Sequence, residues 1–177
     1  MLETERLFLR KLQDHDIEEI FDMRSDPSVM KYIREPQTKK EESLNWIKMI
    51  SKYWVPDGIG FCAIIEKESK SFLGWCGLWR IPETDEIEVG YAIKKDQWGK
   101  GFATEAAERF LKYGFEDLGL EKVVAVAFPQ NKASRSVMRK LGMEYAGIGN
   151  YYNKSLVKYE IARSEFESSI LDQHPDS

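Results

Sequence analysis

The chain has 177 residues, 42% hydrophobic and 32% charged, with a formal net charge of −4 and an isoelectric point near 5.4. That balance suits one globular domain with a sizeable core and excludes a disordered or membrane-spanning chain. An acidic chain is a poor match for a nucleic-acid binder that works by neutralising phosphate.

The start, Met-Leu-Glu-Thr-Glu-Arg, lacks the basic-then-apolar order of a signal peptide, so a cytoplasmic location is expected. In chain order, Arg6 to Arg10 reads as a first strand. Asp14 caps a helical pattern carrying Ile17, Ile20 and Phe21, which the Ser25-Asp26-Pro27 turn ends. A second helix is expected from Thr38 to Trp54, with Leu44, Ile47 and Ile50 on one face, broken by Pro56-Asp57-Gly58. Gly60 to Glu66, Ser71 to Arg80 and Glu86 to Lys94 read as three strands joined by short polar turns, an antiparallel meander. A glycine turn follows. The helix after it repeats apolar residues at i, i+3, i+4 and i+7 through Ala103, Ala106, Ala107, Phe110 and Leu111, and Gly119 stops it.

Val123 to Phe128 is apolar at every position, as in a parallel strand covered on both faces. Pro129-Gln130-Asn131 ends it, and a short helix runs to Leu141 and Gly142. Strands near Tyr145 to Tyr151 and Leu156 to Ala162 complete a single domain over 1–166, with 167–177 a mobile tail. An exposed sheet edge would suit a homodimer.

Two histidines and two cysteines limit the chemistry. His15 and His174 lie near no motif, so neither a Ser-His-Asp triad nor a histidine-rich metal site is expected. Cys62 and Cys76 stand in apolar strands and read as buried thiols, and no metal is expected.

The segment from Glu86 to Phe128 is a βαβ crossover around "KKDQWGKGFATEA", residues 94–106. A turn over a helix N-terminus aims unpaired N–H groups at an anion, typically phosphate. Lys100 adds charge and Thr104 a hydroxyl. The P-loop pattern fails because Gly101 follows Lys100, and the dinucleotide fingerprint fails because only Gly99 and Gly101 are present. In the preceding strand, Ile87, Val89, Tyr91 and Ile93 share one face, and Glu86, Glu88, Gly90 and Ala92 the other. Gly90 and Ala92 beside a carboxylate leave room for a slender ligand, for a packed helix, or for a bulge. Asn131 reads as a helix N-cap at the end of the buried strand, where ligands of α/β sheets bind.

"VGYAIKKDQWGKGFATEA" followed by "NKASRSVMRKLGM" resembles the acetyl-CoA signature of the GNAT acetyltransferases. "ETERLFLRKLQDHD" with "SDPSVMKYI" resembles the RimJ/RimL-type branch, whose members acetylate protein N-termini or small amines. The resemblance spans residues 2 to about 163. It implies an α/β fold with a mixed, strongly bent central sheet flanked by helices. Acetyl-CoA would be the co-substrate, with the turn Trp98, Gly99, Lys100, Gly101, Phe102, Ala103 and Thr104 on its pyrophosphate. Tyr91, Ala92, Ile93, Asn131 and Ser134 complete the expected coenzyme A site. Trp98 departs from the family's polar first residue. Met138 stands where many relatives carry a tyrosine that protonates the departing thiolate.

Acetyl transfer to an amine needs a neutral nucleophile, an oxyanion donor and a route for the thiolate. The backbone around Tyr91 to Ile93 is the expected oxyanion donor. Glu88 is the candidate base, through a water, or else a solvated strand carboxylate. Ser134 is the candidate acid that the resemblance implies, or else a local hydrogen-bonding residue; Ser136 is weaker. About a tenth of an α-amine is neutral at pH 7, against about 0.04% of a lysine amine. A protein or peptide N-terminus is therefore the leading acceptor. A small amine (polyamine, amino acid or aminoglycoside) is the alternative, and a catalytically idle acyl-CoA-binding module the rival reading. Trp46, Trp54, Trp75, Trp79 and the Tyr151-Tyr152 pair form either an aromatic wall for cations or core packing.

Overall fold

The computed structural model of the chain describes residues 1–173. Its centre is an eight-stranded mixed sheet in the order β1-β2-β3-β4-β5-β6-β8-β7. Strands β1 (Leu2–Glu3) and β2 (Leu7–Lys11) open the chain. Alternation puts Leu7 and Leu9 in the core. The three-strand meander forms as expected: β3 (Gly60–Glu66), β4 (Phe72–Arg80) and β5 (Ile87–Ile93) pair antiparallel.

The first helical region differs from its expectation. Asp14 opens a single 3-10 turn (Asp14–Asp16) instead of capping a longer helix. The carboxylate that captures a free N–H is that of Asp16, which accepts from the Gln13 N–H at 2.8 Å and pairs with Arg10 at 2.6 Å. Helix α1 (Ile17–Ser25) follows. Asp26 both ends it and caps a one-turn helix, α2 (Pro27–Met30): its side chain accepts from the Ser28 N–H at 2.7 Å, and proline at the first position lacks the donor that would go unpaired. Helix α3 (Lys40–Asp57) stops at Gly58, whose φ of +67° is a left-handed C-cap.

Helices α1 and α3 cover one face of the meander, over a core of Ile20, Met23, Trp46, Ile47, Ile50, Ala63, Trp75 and Ala92. The other face carries α4 (Phe102–Lys112), continued by a π-type turn at Tyr113–Asp117. Ala106, Ala107, Phe110 and Leu111 sit there against Cys62, Cys76, Leu78 and Val89. Strand β6 (Lys122–Ala127) is buried on both faces and pairs with β5 in the one parallel pairing among the described residues. Helix α5 (Lys132–Lys140) leads into the hairpin of β7 (Glu144–Tyr151) and β8 (Lys154–Ala162). β8 pairs with β6, which leaves β7 as an edge strand with Tyr145 and Ile148 exposed.

Helix α6 (Arg163–Gln173) runs on into the segment expected as a tail, 167–177, and Phe166, at the end of the expected domain, is buried against Phe115. Residues 174–177 lie outside the described residues. Cys62 and Cys76 face each other across β3 and β4 as free buried thiols. Burial pushes Cys62 up to about 12 and raises Cys76 well above its ordinary value, so both stay protonated and inert.

Candidate active site

The parallel pair β5–β6 is joined in register at one point, Glu88 opposite Val124. Beyond it the strands share no further paired residues, so the edge of β5 from Val89 to Ile93 is left open. The chain leaves β5 into the glycine turn and leaves β6 into Asn131, so the N-termini of α4 and α5 both border this opening.

At α4, Gly99 and Gly101 have φ of +79° and +85°, a conformation that L side chains rarely adopt. Among the described residues, no carbonyl or side chain accepts from the N–H groups of Gly99 to Thr104, and Gly101 caps without a side-chain bond. A Cβ on Gly99 would meet nothing within 4 Å. This row of free donors at a dipole's positive end fits a pyrophosphate. Trp98 is half exposed, and its indole N–H donates to the Ile93 carbonyl at 2.7 Å, tying the turn to the end of β5. The Lys100 ammonium is exposed and donates to Gln97 at 2.8 Å.

A brace from the far end of the chain holds this turn. Arg6 pairs with Glu105 at 2.6 Å, donates to the Lys100 carbonyl at 3.1 Å, and lies 4.5 Å from the Phe102 ring centroid. Nothing local in the sequence announces it, because the partners lie 99 positions apart.

At α5, the Asn131 side chain accepts from the Ser134 N–H at 3.1 Å, the expected N-cap. The Tyr91 hydroxyl reaches across from β5, donating to the Ser134 carbonyl at 3.1 Å with its oxygen 3.2 Å from Ser134 Oγ. Burial raises the Tyr91 phenol above its ordinary value. Two expected site residues are thus in contact. Met138 is 1% exposed and packed in the core under α5.

Glu86 and Glu88 stand two residues apart on one face with opposite fates. Burial disfavours the Glu86 charge, but Lys122 at 3.0 Å and Lys158 at 3.2 Å hold its carboxyl below the usual range. Glu88 is buried with no cation beside it among the described residues, and burial pushes it up to about 7, against a hydrogen bond from the Tyr152 hydroxyl. The reading of Glu88 as a solvated strand carboxylate therefore fails. Gly90 shows no bulge: it pairs in register with Gly77. The space it leaves is taken by Phe61, whose ring a Gly90 Cβ would approach to 3.0 Å.

The aromatic residues divide. Tyr151 is core and Tyr152 is on Glu88. Trp75, Trp46, Phe61, Trp79 and Tyr53 form a continuous run of ring contacts at 4.8–6.0 Å on the Glu88 face. The cation on this run is the chain's own: Arg24, 2% exposed, lies 4.2 Å from the Trp46 centroid and 5.8 Å from that of Trp75. Its Nε and Nη2 have no acceptor among the described residues, and burial lowers its value to about 9.

Among the described residues no group of His, Cys, Asp and Glu could hold a metal ion, and no helix is long and apolar enough to cross a membrane. The sheet thus opens at its parallel pair, with α4 and α5 each following one of the two strands and Glu88 at the last paired position. Residues 6–144 match the acetyltransferase (GNAT) domain, and the chain belongs to that family. It is 34% identical over 156 residues to the uncharacterized N-acetyltransferase p20 of Bacillus licheniformis, covering 87% of this chain and 88% of that protein. A GNAT-family acetyltransferase from Bacillus anthracis superposes with a TM-score of 0.78 at 28% identity, over 92% of this chain and 98% of that one. An acetyltransferase from Agrobacterium tumefaciens gives a TM-score of 0.80 at 25% identity, over 90% and 92%. The chain is an acetyl-CoA-dependent N-acetyltransferase of the mixed α/β GNAT fold.

Proposed function

We propose that the protein acetylates the α-amino group of a peptide or protein N-terminus, as in the RimJ/RimL-type branch, with Glu88 as general base. The carrying observation is the Glu88 carboxyl, buried without a cation and poised at about 7, where a base for an amine must titrate. Such a base suits an amine whose own value is near 8 far better than a lysine.

Acetyl-CoA supplies an activated thioester. The N–H groups of Gly99, Lys100, Gly101, Phe102, Ala103 and Thr104 would hold its pyrophosphate, with Trp98 fixing the turn. The open edge of β5 at Tyr91, Ala92 and Ile93 would take its pantetheine arm and offer an N–H to the oxyanion. Asn131 orients the first turn of α5, and the Ser134 hydroxyl protonates the departing sulfur, held by Tyr91. We place the protein in the cytoplasm, where two buried free thiols stay reduced. The edge strand β7 is our candidate homodimer surface.

A small amine is the second reading, supported by a 24% identical spermidine N(1)-acetyltransferase of Escherichia coli covering 94% of this chain. Arg24 weighs against a polyamine here, because a polycation entering the aromatic face would meet a buried positive charge whose Nε and Nη2 have no acceptor among the described residues. The deciding experiment offers acetyl-CoA with N-terminally free peptides, the same peptides blocked at the N-terminus, spermidine, amino acids and aminoglycosides, with mass detection of products. Acetylation of the free peptides alone supports the proposal. Turnover of spermidine alone overturns it, and coenzyme A binding without any product would favour the idle module.

A further inference from the structure

We propose that Tyr152 is a positioning residue for acetyl transfer: its phenol, delivered by the β7–β8 turn, fixes the Glu88 carboxyl beside the β5–β6 opening and sets the pH range over which that carboxyl accepts a proton. The inference rests on the reading of Glu88 as the base.

Tyr152 and Asn153 form the two-residue turn between β7 and β8, with Tyr151 and Lys154 paired on either side. Their φ values are +54° and +57°. This turn favours glycine or asparagine at both positions, because a side chain in the left-handed region crowds its own backbone. Asn153 fits that preference and Tyr152 does not. A bulky residue kept in an unfavourable conformation points to a task for its side chain. That side chain donates to Glu88, 64 positions away, as the sole hydrogen-bond partner of Glu88's carboxyl among the described residues.

The turn is also anchored at its far side. The Lys154 ammonium donates to the Ile33 carbonyl at 3.2 Å and lies 5.4 Å from the Phe128 centroid, and Phe128 packs on Tyr32 at 5.9 Å. The hairpin tip is therefore tied to the segment after α2 and holds the phenol in place.

The groups around Glu88 leave Tyr152 as the adjustable one. Glu83 from the β4–β5 turn adds a like charge that disfavours ionisation. Tyr91, on the same strand, points to Ser134. Trp79 on β4 and Val124 on β6 are the register partners and do not titrate. Lys122 and Lys158 are engaged by Glu86. A phenol O–H bonds more strongly to a carboxylate than to a carboxylic acid, so Tyr152 favours the ionised base that burial disfavours. During transfer the amine nitrogen bonds to the acetyl carbon, its proton passes to Glu88, and the C–S electron pair leaves with sulfur. Tyr152 keeps its own proton throughout.

The test compares wild type, Tyr152→Phe and Asn153→Gly by pH–rate profiles of thiol release with an acetylatable peptide. Carbon-13 titration of the glutamate carboxyls supplies a readout that needs no turnover. Tyr152→Phe should move the acidic limb up by about one pH unit. The rate near pH 6.5 should then drop several-fold and largely recover at pH 9, with the KM for acetyl-CoA unchanged. The Glu88 resonance should move by the same interval, and Asn153→Gly, which relaxes the turn but keeps the phenol, should leave the limb where it is. A loss in Tyr152→Phe by one factor at every pH, or a Glu88 titration that does not move, overturns the proposal. If the Glu88 resonance moves while neither protein releases thiol with any amine, the reading of Glu88 as base fails, and the catalytic role of Tyr152 fails with it.

Discussion

Replacing Glu88 by glutamine should make the protein more stable at pH 8 while removing its activity. Burial lifts the Glu88 carboxyl from the ordinary 4.5 to about 7. Between those values the folded protein holds a proton that the unfolded chain has released, so stability falls as pH rises through this window, and above it the penalty is complete. At 1.36 kcal/mol per unit the cost at pH 8 is about 3 kcal/mol. Glutamine has nearly the same shape, carries no charge, and keeps an oxygen for the Tyr152 hydroxyl. For a domain of this size the gain corresponds to a rise of roughly 6–12 °C in Tm at pH 8 and almost none at pH 4. Thermal unfolding of both proteins across this range, followed by circular dichroism, gives the difference directly. A Tm difference that is the same at pH 4 and pH 8, or a less stable variant at pH 8, would refute the placement of a buried carboxyl that has no cation to offset its charge. Such a cost, retained in the native chain, is what an active-site group imposes.

Four further outcomes follow from the geometry. Gly101→Val, at φ of +85°, should weaken coenzyme A binding by calorimetry at least tenfold, because a β-branched residue cannot hold the turn without strain. Arg6→Ala should cost under about 1 kcal/mol in unfolding experiments, since Arg6 is 44% exposed. It should still raise the KM for acetyl-CoA as the turn loses its brace. Ser134→Ala should lower kcat by about 10²-fold with unchanged coenzyme A affinity if its hydroxyl is the acid; equal kcat removes that role. Asn131→Ala, which deletes the α5 cap, should cost about 1 kcal/mol in denaturant unfolding.

The parts of the molecule legible in the sequence are those with a local signature. The meander shows in its alternation and polar turns, α4 in its 3.6-residue period, β6 in its unbroken apolar run, and the Asn131 cap in its position. Glycines 99 and 101 marked the donor-rich turn for the same reason, since the left-handed conformation they adopt is a property of single residues. The one-turn helix at Pro27 was hidden because proline after aspartate signals both a stop and a start. Contacts made across the fold left no trace. Arg6 on Glu105, Tyr152 on Glu88 and Arg24 on Trp46 each join residues whose approach depends on sheet order and on the β7–β8 turn. Glu86 and Glu88 look alike in the chain. Only the placement of Lys122 and Lys158 makes one a surface ion pair and the other a buried, protonatable group.

The central claim is that this opening carries acetyl transfer with Glu88 as its base, and the pH dependence of thiol release from acetyl-CoA tests it most directly. With an acetylatable peptide, wild type should show an acidic limb near pH 7, and Glu88→Gln should lose that limb along with at least a hundredfold in rate while titrating coenzyme A as before. Equal rates in the two proteins at every pH, or an unchanged limb in Glu88→Gln, would contradict the account.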